Sequence, residues 1–253
     1  MPLQSIEFSP DYQIDYELSV HGASARFLTS MYGAFGIDLT ANLQHFTYGV
    51  CDLSRIVDDC IDFPNRPTPP TFDALLAGLS MGTIKDMSEL EAGRALAFVS
   101  NLTEEQLDFS REQYTDAVEV ATARSSAGTI GDYAGAIQQE AAVQCAVLNI
   151  SEDTIHPDSE RRKLYNRWLK SFTLGAYYLD AAVDLATDYS EGRTQIRPTA
   201  LARGKLLARA APHVADTIKR MPRRTLPALG NLAITYNVPA LKQRKSLNSL
   251  VEI

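Results

Sequence analysis

Two groups of aspartates sit inside apolar stretches of this chain. The first is Asp58-Asp59-Cys60-Ile61-Asp62, within YGVCDLSRIVDDCIDFPN, and the second is Asp180, Asp184 and Asp188, within GAYYLDAAVDLATDYSEGRTQIRP. Residues three and four apart are neighbours on a helix, so Asp58 and Asp62 share a face, with Asp59 beside them and Arg55 one turn earlier. The second group, spaced i, i+4, i+8, stacks its carboxylates along one helical stripe. Like charges at that spacing destabilise a helix by a few tenths of a kcal/mol per pair, so such a stripe asks for neighbouring bases or bound cations. Mg²⁺ suits these surroundings: it takes one or two carboxylates and fills its shell with water and substrate phosphate. Two acidic walls can hold a cluster of Mg²⁺ ions against a diphosphate, neutralising charge on the leaving group as it departs. Nearby bases add fixed positive charge. Arg193, just past Asp188, is the best-placed base, with Arg167 and Lys170 upstream on the same expected helix.

Neither motif is decisive alone. With 18 Asp in 253 positions, a DDxxD pattern arises by chance in roughly one such sequence in ten, and both patterns together in roughly one in a hundred. A solvated acidic face is the ordinary explanation of either one by itself.

The elements that position these groups read as helices almost throughout, because Ala, Leu, Glu and Gln dominate the long segments and alternating β-branched runs are scarce. The periodicity predicts helices over 22–34, 39–63, 71–80, 87–99, 103–125, 129–149, 158–191, 198–220 and 224–236. The breakers agree with these edges. PNRPTPPT (64–71) cannot be helical, because each proline lacks an amide donor and restricts the residue before it. Thr103 is placed to cap a helix that opens on Glu104 and Glu105. Ser125-Ser126-Ala127-Gly128 marks the next junction, and Asp158 is expected to cap the long helix after His156-Pro157. Gly192 falls where that helix should stop in a left-handed residue, and Pro198 suits the first turn of the one that follows.

The expected fold class is all-α, a single domain spanning 1–253, with about 20 N-terminal and about 15 C-terminal residues as flexible ends. Hydrophobic residues make up 45% and charged residues 22%, which is globular rather than disordered composition. No apolar run reaches the roughly 18 residues a membrane span needs, so no integral membrane segment is expected. The N-terminus shows no secretory signal pattern. Cys51, Cys60 and Cys145 are too few and too scattered for a disulfide framework or zinc site, which points to a cytoplasmic setting. The net charge of -7 divides into -18 over 1–160 and +11 over 161–253. The bases are dispersed through helical patterns without a nucleic-acid-binding motif, so no nucleic-acid partner is expected. His21, His45, His156 and His213 form no metal-ligand spacing, and no GxSxG, P-loop or GxGxxG is present.

These residues together resemble the class I isoprenoid-diphosphate enzymes: terpene cyclases, trans-prenyl diphosphate synthases and the squalene/phytoene synthase branch. Asp58, Asp59 and Asp62 match the family's DDxxD motif, and YGVCDLSRIVDDCID is similar to the first acidic motif of phytoene synthases. Asp180, Asp184 and Asp188 occupy the spacing of the second metal-binding triad of terpene cyclases, usually Asn or Asp, then Ser or Thr, then Glu. DLATDYSEGRTQIRP is also similar to the second phytoene synthase motif, with Asp184 and Asp188 as its paired acids. The resemblance covers about residues 20–200 in organisation and is specific at the level of these motifs.

The resemblance implies an α-helical barrel or bundle with both acidic motifs at its mouth, binding three Mg²⁺ ions and an isoprenyl diphosphate, farnesyl or geranylgeranyl by expectation. Asp58, Asp59, Asp62, Asp180, Asp184 and Asp188 would bind metal, and Arg193, Arg167, Lys170 and Arg55 would hold the diphosphate. The expected activity is a terpene cyclase, which ionises the substrate and steers the carbocation. The alternatives are a prenyl transferase or head-to-head synthase of the same superfamily, and, from another class, a non-catalytic helical interaction protein. A homodimer is the default assembly. Aromatic faces stabilise cations, and Phe27, Tyr32, Phe46, Tyr48, Trp168, Phe172, Tyr177 and Tyr178 fall on or near the motif helices. Any one aromatic at helical spacing is nevertheless more often plain core.

Overall fold

In a computed structural model, residues 20–37, 44, 47–54, 71–81, 89–155 and 160–222 are described. All regular structure among the described residues is helical, so the fold class is all-α. The helices are α1 (Val20–Ala34), α2 (residues 47–54), α3 (Phe72–Ser80), α4 (Glu89–Ser100), α5 (Glu104–Ser126), α6 (Ile130–Ile155), α7 (Glu160–Ser190) and α8 (Ala200–Arg220). Of the helix expected over 39–63, residues 44 and 47–54 are described and helical; the rest of that span, the expected cap Asp158, most of the proline stretch and the helix expected over 224–236 lie outside the described residues. None of the described helices is long and apolar enough to cross a membrane.

The ends form where the chain's polar and left-handed residues dictate. The Thr103 hydroxyl accepts the Gln106 amide at 3.3 Å, and the Gln106 side chain accepts the Thr103 amide at 2.9 Å, a reciprocal capping box. Thr129 caps α6 by accepting the Asp132 amide at 3.2 Å. Helix α7 stops at Gly192, whose φ is +76°. There the Arg193 amide reaches back to the Asp188 carbonyl at 2.8 Å and the Gly192 amide to that of Tyr189 at 3.3 Å, the Schellman pattern. Gly36 closes α1 in the same way with φ +72°, and its carbonyl accepts from Arg161 Nη1 at 2.7 Å, tying the end of α1 to the start of α7.

Two edges differ from expectation. Helix α6 runs on to Ile155, past the expected end at 149, because the next proline is Pro157, which disfavours helix only at the residue before it. Pro198 stands ahead of α8 rather than in its first turn, because the Thr199 hydroxyl accepts the Ala202 amide at 3.1 Å and is the cap.

Helices α5, α6, α7 and α8 pack successively, and α7 is the common spine. Its N-terminal half enters an aromatic core with α1 to α6, centred on fully buried Trp168. The Trp168 ring stacks on Phe172 at 5.1 Å, and Tyr165 stacks on Tyr32 at 4.6 Å. The C-terminal half of α7 enters a second core with α6 and α8, in which alanines, among them Ala134, Ala141, Ala202 and Ala210, pack around Tyr133, Tyr178, Leu185 and Leu206. Alanines there let helices approach closely. At Gly175 an added Cβ would stand 3.3 Å from Val214 Cγ2 of α8, so these two helices nearly touch backbone to backbone.

Candidate functional site

The C-terminal half of α7 carries the second acidic group as a continuous stripe. Asp184 and Asp188 are half-buried and Asp180 is exposed. Tyr177 lies on the same face, seven residues before Asp184, and Lys170 a further seven before that, since two turns nearly restore the helical azimuth. Helix α6 lies beside this face. Tyr178 Oη donates to the Ala134 carbonyl at 3.0 Å, while buried Tyr133 lies one residue before that contact. Burial pushes the Tyr133 phenol up to about 12; Arg124 pulls it down, and Asp188, Glu140 and Asp180 add to the rise. The stripe, Tyr133 and the Arg124–Glu140 pair therefore share one electrostatic neighbourhood. Arg124 Nη1 donates to both Glu140 oxygens, at 3.0 and 2.7 Å, joining α5 to α6 beside the stripe.

The turn after α7 brings a base back to this group. The Arg193 amide is bonded to the Asp188 carbonyl, so the backbone of Arg193 lies against the last turn of α7. Arg193 Nη2 pairs with Glu191 at 2.8 Å. The other expected bases are farther off. At about 1.5 Å per residue, Lys170 is about 15 Å along α7 from Asp180 and Arg167 about 20 Å. Both are exposed, and Lys170 is close enough to Cys145 of α6 to oppose the burial that raises that thiol. The structure thus sets Tyr177, Asp180, Asp184 and Asp188 along one face of α7 with the backbone of Arg193 at its end, and leaves Lys170 and Arg167 nearer the aromatic core.

Asp58, Asp59, Asp62, Arg55 and Phe46 lie outside the described residues. Helix α2, which leads toward that group in sequence, is held tightly. Asp52 is 1% exposed and accepts from Arg94 Nε at 2.6 Å and Arg94 Nη2 at 3.3 Å. A Cβ on Gly49 would lie 2.6 Å from Phe98 Cβ, so α2 and α4 are in close backbone approach. Ser54 accepts from Gln144 Nε2 of α6 at 3.1 Å, only four residues ahead of Asp58. Sequence reasoning passed over Asp52, Arg94, Tyr133, Arg124 and Glu140. Asp52 alone left a signal, being an acid between Cys51 and Leu53 in an apolar run.

Most of the expected aromatic lining is core. Phe27, Tyr32, Trp168 and Tyr178 are buried, Phe27 lying 5.1 Å from Phe172. Tyr48, Phe172 and Tyr177 are half-buried, and of these Tyr177 lies on the acidic face. His213 packs on the Tyr178 ring at 6.1 Å, a structural role. Cys51 and Cys145 are buried free thiols.

Among the described residues no three His, Cys, Asp or Glu side chains converge as one ligand group. Asp180 and Asp188 stand about 12 Å apart along α7, so the stripe offers its oxygens singly or as adjacent pairs. That donor set fits Mg²⁺, which takes one or two carboxylates and completes its shell with water and phosphate. It does not fit a thiolate- or imidazole-seeking metal. No family model matches the chain, and neither a curated protein nor a solved structure matches it.

Proposed function

We propose that this chain is a Mg²⁺-dependent class I terpene synthase, which ionises an allylic isoprenyl diphosphate and converts the carbocation to a terpene with release of diphosphate. One observation supports the reading most: a stripe of three aspartates runs along one face of α7 and ends in a turn that returns Arg193 to Asp188. Three like charges one turn apart work against their helix, which is expected of groups kept for a ligand. The second support is the sequence DDxxD at Asp58, Asp59 and Asp62, which follows an anchored α2.

In this reading Asp180, Asp184 and Asp188 hold metal from one side, and Asp58, Asp59 and Asp62 hold it from another. Bound Mg²⁺ supplies Lewis-acid stabilisation of charge on the departing diphosphate. Arg193 adds a fixed positive charge beside Asp188 and would exchange its bond to Glu191 for phosphate oxygens, a geometry a guanidinium fork suits. Tyr177 is half-buried on the same face, and an aromatic ring there would stabilise a cation generated nearby through its quadrupole. No side chain acts as a nucleophile.

Melting curves test the binding half of this proposal. Inorganic diphosphate with Mg²⁺ together should raise the melting temperature more than either alone, because ligands that bind only the folded state stabilise it. Asp188→Asn and Arg193→Ala should each reduce that rise. Equal rises in wild type and both variants would remove the stripe from the site.

A further inference from the structure

Helix α2 is tied to two different helices. Arg94 of α4 holds buried Asp52. Gln144 Nε2 of α6 donates to Ser54 Oγ at 3.1 Å, and both of these side chains are half-buried. The second bond falls at a junction. Cys145 and Leu148 of α6 belong to the aromatic core, together with Val50, Cys51 and Leu53 of α2, whereas Ile137 and Ala141 belong to the second core. Gln144 stands where one core gives way to the other. It also shares a face of α6 with Glu140, one turn away, and with Tyr133, three turns away. Tyr133, Glu140 and Arg124 occupy the electrostatic neighbourhood of Asp180 and Asp188. Ser54 is therefore held one turn from the part of α6 that flanks the acidic stripe.

The chain after Ser54 carries the first acidic group. Asp58 is four residues on, so it lies within about 14 Å of Ser54 even along a fully extended chain. On the helix expected over 39–63, Ser54, Asp58 and Asp62 stand at i, i+4 and i+8 and share one face. The face that Gln144 holds against α6 is thus the face on which the sequence pattern sets Asp58 and Asp62. We propose that Gln144 is a positioning residue, which through Ser54 sets the first acidic group beside α6 so that it and the α7 stripe serve the same Mg²⁺ and diphosphate. Gln144 itself touches neither. Its hydrogen bond is directional, so it fixes the rotation of α2 about its own axis as well as its distance from α6. Arg94 fixes α2 to α4 instead, away from the helix that flanks the stripe. With the Ser54 bond in place, less ordering remains to be done when metal binds, which is the source of the expected gain in affinity. The proposal rests on the reading of both acidic groups as metal ligands.

Melting curves of the full chain with inorganic diphosphate, titrated with Mg²⁺, test it. Gln144→Leu keeps the bulk of the side chain and removes the bond. Its half-saturating Mg²⁺ should be about threefold to tenfold above that of the wild type, the scale of one hydrogen bond. Ser54→Ala should match it, and the two substitutions together should do no more than either alone, because they break one contact. Ser54→Thr keeps the hydroxyl and should keep the wild-type requirement. A bond that merely holds the fold would lower the melting temperature without ligand and leave the Mg²⁺ requirement unchanged. That result would overturn the proposal while leaving the metal site standing. A raised requirement in Gln144→Leu but not in Ser54→Ala would also overturn it, since Ser54 would then not be the link. Absence of any Mg²⁺ and diphosphate effect in the wild type would remove the site and the proposal together.

Discussion

Asp184 stands one turn from Asp180 and one turn from Asp188, so it takes part in both like-charge pairs of the stripe. Asp184→Asn removes both repulsions at once. The expected result is a divergence between stability and activity. Without Mg²⁺, urea unfolding should show the variant unchanged or more stable by about 0.5 kcal/mol. Turnover should fall at least about a hundredfold, the scale of losing an electrostatic contact made to developing charge. An acidic face with no ligand would show the first effect without the second. Two buried groups give a separate prediction in pH. Burial raises the Cys51 thiol from 9.0 to about 12, Asp52 adding to the rise and Arg94 opposing it. It raises the Tyr133 phenol from 10.0 to about 12. Their folded values lie above the unfolded ones, so the stability they contribute is complete below pH 9 and is lost between pH 9 and 12. Each group steepens the fall by up to about 1.4 kcal/mol per pH unit. Tyr133→Phe should make the curve shallower between pH 10 and 12, as chemical unfolding at successive pH values would show. Iodoacetamide should leave Cys51 and Cys145 unlabelled in the native protein, because only the thiolate reacts.

At the scale of elements, the junction of α2 and α4 is the most sensitive place. Gly49→Ala would normally gain about 1 kcal/mol of helix propensity. Here the new Cβ meets Phe98 Cβ at 2.6 Å, so a net loss of about 1–3 kcal/mol is expected. Arg94→Met leaves the Asp52 carboxylate buried without its guanidinium and should cost about 3–5 kcal/mol. The double replacement Asp52→Leu with Arg94→Met should recover much of that loss. Urea midpoints at constant slope would measure both. Helix ends were largely legible in the sequence, because capping is local chemistry. Thr103 and Gly192 carry their signals within four residues of where they act. Pro198 misled because Thr199 is a better cap than proline is a first-turn residue. The Asp52–Arg94 pair was not legible as a pair, because 42 residues separate its members and nothing local states which helices will touch.

For the whole molecule, α7 links two cores with different chemistry. Aromatic rings dominate the end near Gly36, and alanines packed around leucines, isoleucines and two tyrosines fill the end where the acidic stripe lies. The sequence pattern placed the aspartates on one stripe of one helix, because i, i+4 spacing is a property of any helix. It did not show that Tyr133, Arg124 and Glu140 would stand beside them, since that follows from how α5 and α6 fold back along α7. Nor did it separate Tyr177, on the acidic face, from Tyr178, which donates to Ala134 in the core. Adjacent residues on a helix point about 100° apart, and only packing decides which of the two is buried. The central claim is that metal-bound carboxylates promote departure of diphosphate from an allylic isoprenyl chain. The direct measurement is incubation with geranyl, farnesyl and geranylgeranyl diphosphates, with Mg²⁺ or with EDTA, following released diphosphate and organic products together. The account predicts metal-dependent release with a cyclic hydrocarbon or alcohol as product, lowered at least about a hundredfold in both Asp58→Asn and Asp184→Asn. Absence of turnover with all three substrates, or turnover that survives EDTA or is undiminished by either substitution, would contradict it.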